Sequence, residues 1–177
     1  MQLEGAGFKL RSWEKGDEVS LLRNADNPNI SRYLENRFPS PYTAADAAEW
    51  VKAQLLQPKP IANAALTVNN QVAGGIGITL QTDIYCKNAR IGYWLGEGFW
   101  GKGIMTEALA LFTTYIFNEF DVERIYAGVF ASNPASAKVL LKAGYQQEGI
   151  FKKALFKNGQ FDDELIFAKL RNSRHQF

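Results

Sequence analysis

The stretch that most restricts the fold of this chain is a glycine-dense turn between an apolar run and a helical pattern. Residues 91–107 read IGYWLGEGFWGKGIMTE and carry glycine at positions 92, 96, 98, 101 and 103. The residues before the turn have strand character, whereas Met105, Leu109, Phe112 and Ile116 recur at helical spacing. A helix entered through glycines exposes the free N–H groups of its first turn, which favour an anion. The turn therefore predicts a phosphate-binding junction in an α/β domain, or simply a backbone that needs positive φ angles.

The segments before this turn predict one strand, helices and then a meander. Residues 8–13 alternate apolar and polar side chains as a strand does, and residues 14–22 favour a helix that Asn27-Pro28 ends. Residues 29–42 favour a short helix and a loop. Thr43-Ala-Ala-Asp46 has the form of a capping box and predicts the start of the next helix. Residues 64–68, 72–80 and 89–95 then favour consecutive antiparallel strands.

The segments after the turn predict a buried helix over residues 104–120, a strand over 124–130, a second helix and a final hairpin. Asn133-Pro134 combines an N-cap with proline at the first helical position, and Gly144 marks the end of that helix. Asn158-Gly159 is a strong hairpin signal between residues 145–156 and 164–170. Because no repeat or linker interrupts this order, we expect a single domain over residues 1–177.

Composition excludes several classes of protein. The chain has one cysteine, Cys86, and one histidine, His175, which argue against a disulfide framework and a metal site. No run of residues reaches the length of a membrane span, and no signal-peptide pattern opens the chain. The net charge of +2 argues against a general nucleic-acid surface, although residues 150–177, with Arg174 among them, are locally basic. We therefore expect a cytoplasmic protein with no metal, no membrane partner and no nucleic-acid partner.

Two common phosphate-binding motifs match the turn only in part. Gly96-x-Gly98-x-x-Gly101 has the letters of a dinucleotide fingerprint, but several strands precede it and the next strand ends at Ser132 without an acidic residue. The spacing from Gly96 to Lys102 also fits a P-loop, but Gly103 stands where a hydroxyl must bind Mg²⁺. Neither motif explains the turn well.

Two longer motifs resemble the GNAT acetyltransferases, and more narrowly their ribosomal-protein N-terminal (RimJ/RimL-type) branch. The first runs from Trp100 through Gly-Lys-Gly-Ile to Met105 and continues with Thr-Glu-Ala. The second is Asn133-Pro-Ala-Ser136, which Gly144-Tyr145 follows. The resemblance spans residues 8–168. It implies an α+β fold with a mixed, mostly antiparallel sheet of about seven strands, splayed in the middle and flanked by about four helices. The chain departs from the superfamily pattern at Trp100, at Met105, and at Leu140 where many members have a tyrosine.

The resemblance implies that acetyl-CoA is the cosubstrate and that an amine attacks it directly in a ternary complex. The residues expected to bind the cofactor lie on the strand, the turn, the helix start and the second motif. They are Tyr93, Trp94, Leu95, Trp100, Gly101, Lys102, Gly103, Ile104, Met105, Thr106, Asn133 and Ser136.

For catalysis, the resemblance places Ser136 next to the leaving thiolate, while the residue that removes the amine proton is less well defined. We expect Glu97 in that role, with Asp83, Glu107, Asp162 and Asp163 as other candidate carboxylates and a water chain that ends on backbone carbonyls as a further alternative. Leu155 stands where some relatives have an acid, so the resemblance itself names no base. In the alternative interpretation, Asn133 is only the N-cap of the helix and Ser136 is only a residue tolerated in its first turn. Expected acceptor-lining residues are Asn36, Arg37, Phe38 and Tyr42, for a peptide or small-molecule amine, in a monomer or homodimer. The alternative is a non-catalytic acetyl-CoA-binding or sensory domain.

Overall fold

The computed structural model describes residues 1–171, in which one mixed eight-stranded sheet carries five helices. Arg174 and His175, which contributed to the expectations above, lie outside the described residues. The elements in chain order are β1 (Gln2–Gly5), β2 (Phe8–Arg11), α1 (Glu18–Ala25), α2 (Pro28–Ser31), α3 (Ala44–Leu55), β3 (Asn63–Val68), β4 (Gln71–Leu80), β5 (Asn88–Leu95), α4 (Ile104–Glu119), β6 (Arg124–Phe130), α5 (Pro134–Lys142), β7 (Gln146–Lys157) and β8 (Gln160–Leu170).

The predicted α+β architecture is confirmed, with one strand and one helix more than expected. The additional strand is β1, which pairs with β2 through a tight turn at Gly7, where φ is +80°. This strand was not predicted because it has only four residues, and its more buried face is only half-buried, so its sequence shows little alternation. The fifth helix, beyond the about four that the resemblance implied, is α2, the short helix expected near the start of residues 29–42. It is a single turn that begins with Asn27 as N-cap and Pro28 at the first helical position.

Capping residues fix where the longer helices start. Thr43 and Asp46 form the predicted capping box of α3, each side chain accepting a hydrogen bond from the other's backbone N–H. The first helix starts four residues later than expected, at Glu18. Asp17 explains the delay, because its carboxylate accepts from the N–H of Glu14 at 2.9 Å and from both terminal nitrogens of Arg11. These contacts hold residues 14–17 in a turn.

The sheet has an apolar core on each face. On one face, which we call the α4/α5 face, the large buried side chains include Leu109, Phe112 and Leu140. On the other, the α1/α3 face, Trp13, Leu21 and Val51 form a smaller cluster against which Trp94 and Phe38 pack. Because alternate residues of a strand point to opposite faces, side chains of one strand lie partly on the α4/α5 face and partly on the α1/α3 face.

The sheet splits between its two central strands. Neighbouring strands pair antiparallel except β5 and β6, which run parallel and pair only over residues 88–90 of β5 and 124–126 of β6. Beyond that point, β5 stays paired with β4 as far as Leu95, and β6 stays paired with β8 as far as Phe130. The two strands thus separate from each other while each keeps its outer partner, which confirms the expected splay.

Candidate active site

The split leaves two facing strand edges without a strand between them. Residues 91–95 of β5 and 127–130 of β6 have no cross-strand partner across the gap. Alternate residues of such an edge direct N–H and C=O groups into the gap, where they need a hydrogen-bonding partner. An extended ligand with amide groups can supply that partner by lying between the strands. The split is therefore a preformed slot for a linear, amide-containing molecule.

The glycine turn sits at the open end of this slot. Gly101 and Gly103 have φ angles of +74° and +77°, and Gly103 occupies the N-cap position of α4. Within residues 1–171, no side chain caps this helix, and a Cβ on Gly101 or Gly103 would meet no atom within 4 Å. The first-turn N–H groups of a 16-residue helix consequently face open space. This arrangement is suited to a phosphate group.

Two side chains of the motif support the turn from within. Trp100 donates from its indole Nε1 to the carbonyl oxygen of Leu95 at 2.7 Å, which ties the turn to the end of β5. Lys102 donates from Nζ to the carbonyl oxygen of Gly98 at 2.9 Å. Trp100, at the first position of the motif, therefore stabilises the turn. The ammonium group of Lys102 is held next to the turn by its bond to Gly98.

On the α4/α5 face, Tyr93 of β5 meets the start of α5. Its hydroxyl lies 2.8 Å from Oγ of Ser136 and 3.3 Å from that residue's carbonyl oxygen. Asn133 is the N-cap of α5 and accepts from the Ser136 N–H at 3.2 Å through Oδ1. Burial raises the pKa of Tyr93 well above its ordinary value, so the phenol keeps its proton at neutral pH. A neutral phenol can donate to Ser136 Oγ and leave the serine proton free for the slot.

Not every predicted cofactor residue directs its side chain to that face. Trp94 points to the α1/α3 face, where it packs against Phe38 with ring centroids 5.8 Å apart. It can therefore contribute to the slot only through its backbone. Leu95 and Met105 are buried in the α4/α5 core, and Ile104 packs against that core, so these three also reach the slot by backbone groups alone.

A short segment, residues 27–33, spans the mouth of the split on the α1/α3 face. The side chains of Asn27 and Asn29 donate to the carboxylate of Glu97, just after β5, at 2.6 and 3.2 Å. At the other end, the Tyr33 hydroxyl donates to the carbonyl oxygen of Ser132, just after β6, at 2.9 Å. Hydrogen bonds from Asn27 and Asn29 lower the pKa of Glu97. The carboxylate thus anchors the segment and is a weak proton acceptor.

A cavity of about 410 Å³ opens beside this segment. Two of the expected acceptor residues, Asn36 and Phe38, line it. The other two do not: Arg37 is exposed and paired with Glu35 at 2.7 Å, and Tyr42 is buried beside Phe38. Burial and the nearby charge of Asp46 raise the pKa of Tyr42 to about 12. The remaining lining residues are mostly polar and come from α2, the loop after it and the β7–β8 turn: Pro28, Asn29, Ser31, Arg32, Ser40, Lys157 and Asn158.

One side chain beside the split was missed at the sequence level. Glu164 of β8 is 17% exposed, and one carboxylate oxygen lies 3.7 Å from a guanidinium nitrogen of Arg90 on β5. Alternation along β8, with Phe167 buried on the α4/α5 face, places Glu164 on the opposite face. That alternation was visible in the sequence, but the proximity of β8 to the split was not.

Over residues 1–171, no group of three or more histidine, cysteine, aspartate or glutamate side chains is arranged to hold a metal ion. In the same range, no helix is both long and apolar enough to cross a membrane.

Comparison with known proteins gives a consistent result. A family model described as an acetyltransferase (GNAT) domain matches residues 8–146. A probable N-acetyltransferase, YjcK of Bacillus subtilis, is 43% identical over 90 residues, which are 51% of this chain and 50% of that protein. A ribosomal-protein-serine acetyltransferase of Escherichia coli is 34% identical over 88 residues, 50% of this chain and 49% of that protein. These matches thus span about half the length of each relative.

The fold is shared over nearly the whole chain. A solved structure of RimL, described as a ribosomal L7/L12 α-N-protein acetyltransferase in complex with coenzyme A, superimposes with a TM-score of 0.82. That superposition covers 96% of this chain and 98% of the other, at 22% sequence identity.

Proposed function

This chain belongs to the acetyltransferase (GNAT) family, and we propose that it transfers the acetyl group of acetyl-CoA to the α-amine at the N-terminus of a peptide chain. The observation that carries the proposal is the split between β5 and β6 that ends on the uncapped start of α4. The relatives named as ribosomal-protein acetyltransferases support a peptide acceptor over a small molecule.

The residues along the split fit acetyl-CoA. Its pyrophosphate is suited to the N–H groups of Lys102, Gly103, Met105 and Thr106, and its amide-containing pantetheine arm to the edge formed by residues 91–95. Acetyl-CoA supplies an activated acetyl group as a thioester. Asn133, at the start of α5, has its amide nitrogen available for the same arm.

Ser136 is the proposed proton donor to the departing thiolate. A thiol has an ordinary pKa near 8.5, so one hydroxyl within hydrogen-bond reach is enough to assist its departure. The phenol of Tyr93 orients that hydroxyl from 2.8 Å. Tyr93 is thus a positioning residue for Ser136.

A peptide acceptor also fits the cavity on the α1/α3 face. Arg32 and Lys157 both line it, and within the described part of the chain neither pairs with a carboxylate: Arg32 bonds to the Tyr33 hydroxyl, and Lys157 to the carbonyl oxygen of Leu34. Desolvation lowers the pKa of Lys157. Two cations without acidic partners favour an acceptor that carries an acidic side chain close to its N-terminus.

A thiol-release assay tests the proposed function. With acetyl-CoA, we expect turnover on peptides with a free N-terminal serine or alanine, and none on the same peptides after N-terminal acetylation. Acetyl-CoA should also raise the thermal midpoint, because it binds only the folded chain. Binding of acetyl-CoA without turnover on any peptide, polyamine or aminoglycoside would support the non-catalytic alternative instead.

The charge of the acceptor cavity gives a second prediction. A peptide with glutamate at its third position should have a KM about three- to tenfold lower than one with lysine there, as expected for partly exposed charge pairs. Arg32→Ala should remove most of this preference and leave kcat unchanged. The matched control is Arg23→Ala, because Arg23 is a surface arginine on α1 that bonds to Gln71. An equal preference in the Arg32 variant and the unaltered protein would show that the acceptor does not enter this cavity.

A further inference from the structure

We propose that Glu164 is the carboxylate that binds the acceptor's ammonium group and takes up its proton, a role that Glu97 was expected to have. This inference rests on the proposed function and names a residue for it. It follows from the position of the carboxylate between the two strands that separate at the split.

The Glu164 side chain fills the space above Gly128 on β6. A Cβ built on Gly128 would lie 1.9 Å from the Glu164 Oε1 atom and 2.8 Å from its carboxyl carbon. The main chain of Glu164 is paired two residues further along, opposite Phe130. The side chain therefore bends back along β6 toward the point where the strands diverge, and the glycine makes this possible.

On the other side of the split, β5 has free space above Gly92 and one cationic side chain, Arg90. A Cβ on Gly92 would meet no atom within 4 Å, so the space above that residue is free. Arg90, two residues earlier, faces Glu164 at 3.7 Å and makes a closer contact of 2.6 Å with Glu35 from the loop after α2. Because Arg90 has a nearer carboxylate partner, Glu164 keeps oxygen lone pairs for another cation.

The other carboxylates near Glu164 are paired with neighbouring cations or hydrogen-bond donors, so Glu164 is the carboxylate that faces the split. Arg90 lies on β5, and Glu35 and Arg37 lie behind it. On the hairpin, Lys152 pairs with Asp163 at 2.8 Å, and that carboxylate also accepts from the Lys153 N–H. Asp162 is engaged by the Ser132 hydroxyl and N–H.

Other carboxylates that the sequence suggested are used elsewhere or lie elsewhere in the fold. Glu107 accepts from the N–H of Ala6 at 3.1 Å and so anchors the β1–β2 turn. Asp83 is exposed in the connection between β4 and β5, beyond the closed end of the split. Glu97 is bonded to the side chains of Asn27 and Asn29.

Glu164 and Ser136 approach the slot from opposite faces of the sheet. Tyr93 and Ser136 belong to the α4/α5 face, whereas Glu164 lies with Gly128 and Arg90 on the α1/α3 face, next to the acceptor side. An acetyl group lying between β5 and β6 would therefore have a proton acceptor on one side and a proton donor on the other. The two proton transfers need no shared residue.

Glu164 takes one proton from the acceptor ammonium, and the neutral amine then forms a C–N bond to the acetyl carbon as the C–S bond breaks. The electron pair of that bond leaves on sulfur, which receives a proton from Ser136. The serine is reprotonated by the second proton released from the nitrogen, and the proton on Glu164 passes to water.

The variant Glu164→Gln tests this role, since it keeps the shape of the side chain and leaves Arg90 paired with Glu35. With a free-amine peptide at pH 7, we expect kcat to fall about thirtyfold, somewhat less than a typical proton acceptor contributes, because water can replace the carboxylate in part. The loss should shrink as the pH rises through the α-amine pKa near 8, where the acceptor deprotonates by itself. Affinity for acetyl-CoA should stay unchanged.

A binding measurement provides a readout that does not depend on turnover. In calorimetry with the protein saturated with coenzyme A, the free-amine peptide should bind Glu164→Gln about three- to tenfold more weakly than the unaltered protein at pH 7. The N-acetylated peptide, which has no ammonium group, should bind both equally. Gly128→Ala should also lower kcat, because its methyl group would displace the carboxylate.

The matched control is Glu148→Gln, which alters another arginine-paired glutamate of the same hairpin, bonded to Arg124 away from the open part of the split. It should leave both kcat and peptide binding unchanged. A pH-independent loss in Glu164→Gln, or a loss equal to that of the control, would overturn the assignment while leaving the proposed function intact. Absence of turnover in the unaltered protein would instead count against the proposed function, and unchanged calorimetry would then reject the ammonium site as well.

Discussion

Gly103→Asp should abolish acetyl-CoA binding while leaving the protein folded. We expect the affinity to fall at least about 100-fold, which corresponds to about 2.7 kcal/mol. Calorimetry measures the affinity directly, and the rise of the thermal midpoint with millimolar acetyl-CoA, which should disappear, provides an independent readout.

Two effects of the new carboxylate combine at this position. It stands in the open space before the first turn of α4, where it would repel a phosphate group. Aspartate is also a good N-cap, so its oxygen can accept from the same N–H groups that the phosphate needs. The capping gain, about 1 kcal/mol, offsets most of the cost of holding aspartate at a φ of +77°. Stability should therefore change little.

Gly159→Asp is the matched control. Gly159 lies in the turn between β7 and β8, has the same φ of +77°, and also has no atom within 4 Å of a built Cβ. It should show the same backbone strain with an unchanged affinity for acetyl-CoA. Equal affinities in the two variants would place the phosphate elsewhere than at the start of α4.

The helix starts and turns that follow from local sequence are present in the structure as predicted. The glycine turn, the N-cap Asn133 and the capping box at Thr43 depend on residues three or four positions apart, so their hydrogen bonds can be inferred from spacing. The predicted hairpin turn at Asn158-Gly159 has the same local origin, and both residues adopt the positive φ that it requires.

The parts that depend on distant strands could not be predicted in the same way. The contact between Tyr93 and Ser136 joins residues 43 positions apart, and the contact of Glu164 with Gly128 depends on how β8 is placed beside β6. No local pattern predicts that Glu97 is held by Asn27 and Asn29, which lie about 70 positions earlier in the chain. Strand order and register, which are set by packing of the whole sheet, decide these contacts.

Ser136→Ala should lower kcat about 100-fold, as expected when a proton donor to a leaving group is lost. Affinity for acetyl-CoA should stay the same, because the N-cap oxygen of Asn133 keeps its bond to the backbone N–H of residue 136. A rate equal to that of the unaltered protein would remove Ser136 from the mechanism.

The coupled role of Tyr93 requires a double-mutant cycle. Tyr93→Phe alone should lower kcat about tenfold, because the serine hydroxyl loses the donor that orients it. If Tyr93 acts through Ser136, adding Tyr93→Phe to Ser136→Ala should cost nothing further, and the double variant should also be about 100-fold slower. A loss of about 1000-fold would instead mean that the phenol acts on the reaction independently of the serine.

The control for this cycle is another pair of hydroxyl groups, which is buried in the same core. Tyr145 and Thr113 lie 2.7 Å apart, and burial raises the pKa of Tyr145 to about 12, so it too is a neutral phenol. Tyr145→Phe should cost about 1 kcal/mol and lower the thermal midpoint by about 2–4 °C, with kcat unchanged. Tyr93→Phe should cost similar stability yet slow the reaction. Because the two substitutions remove the same group from the same core, only the position of Tyr93 beside the slot can explain a difference in rate.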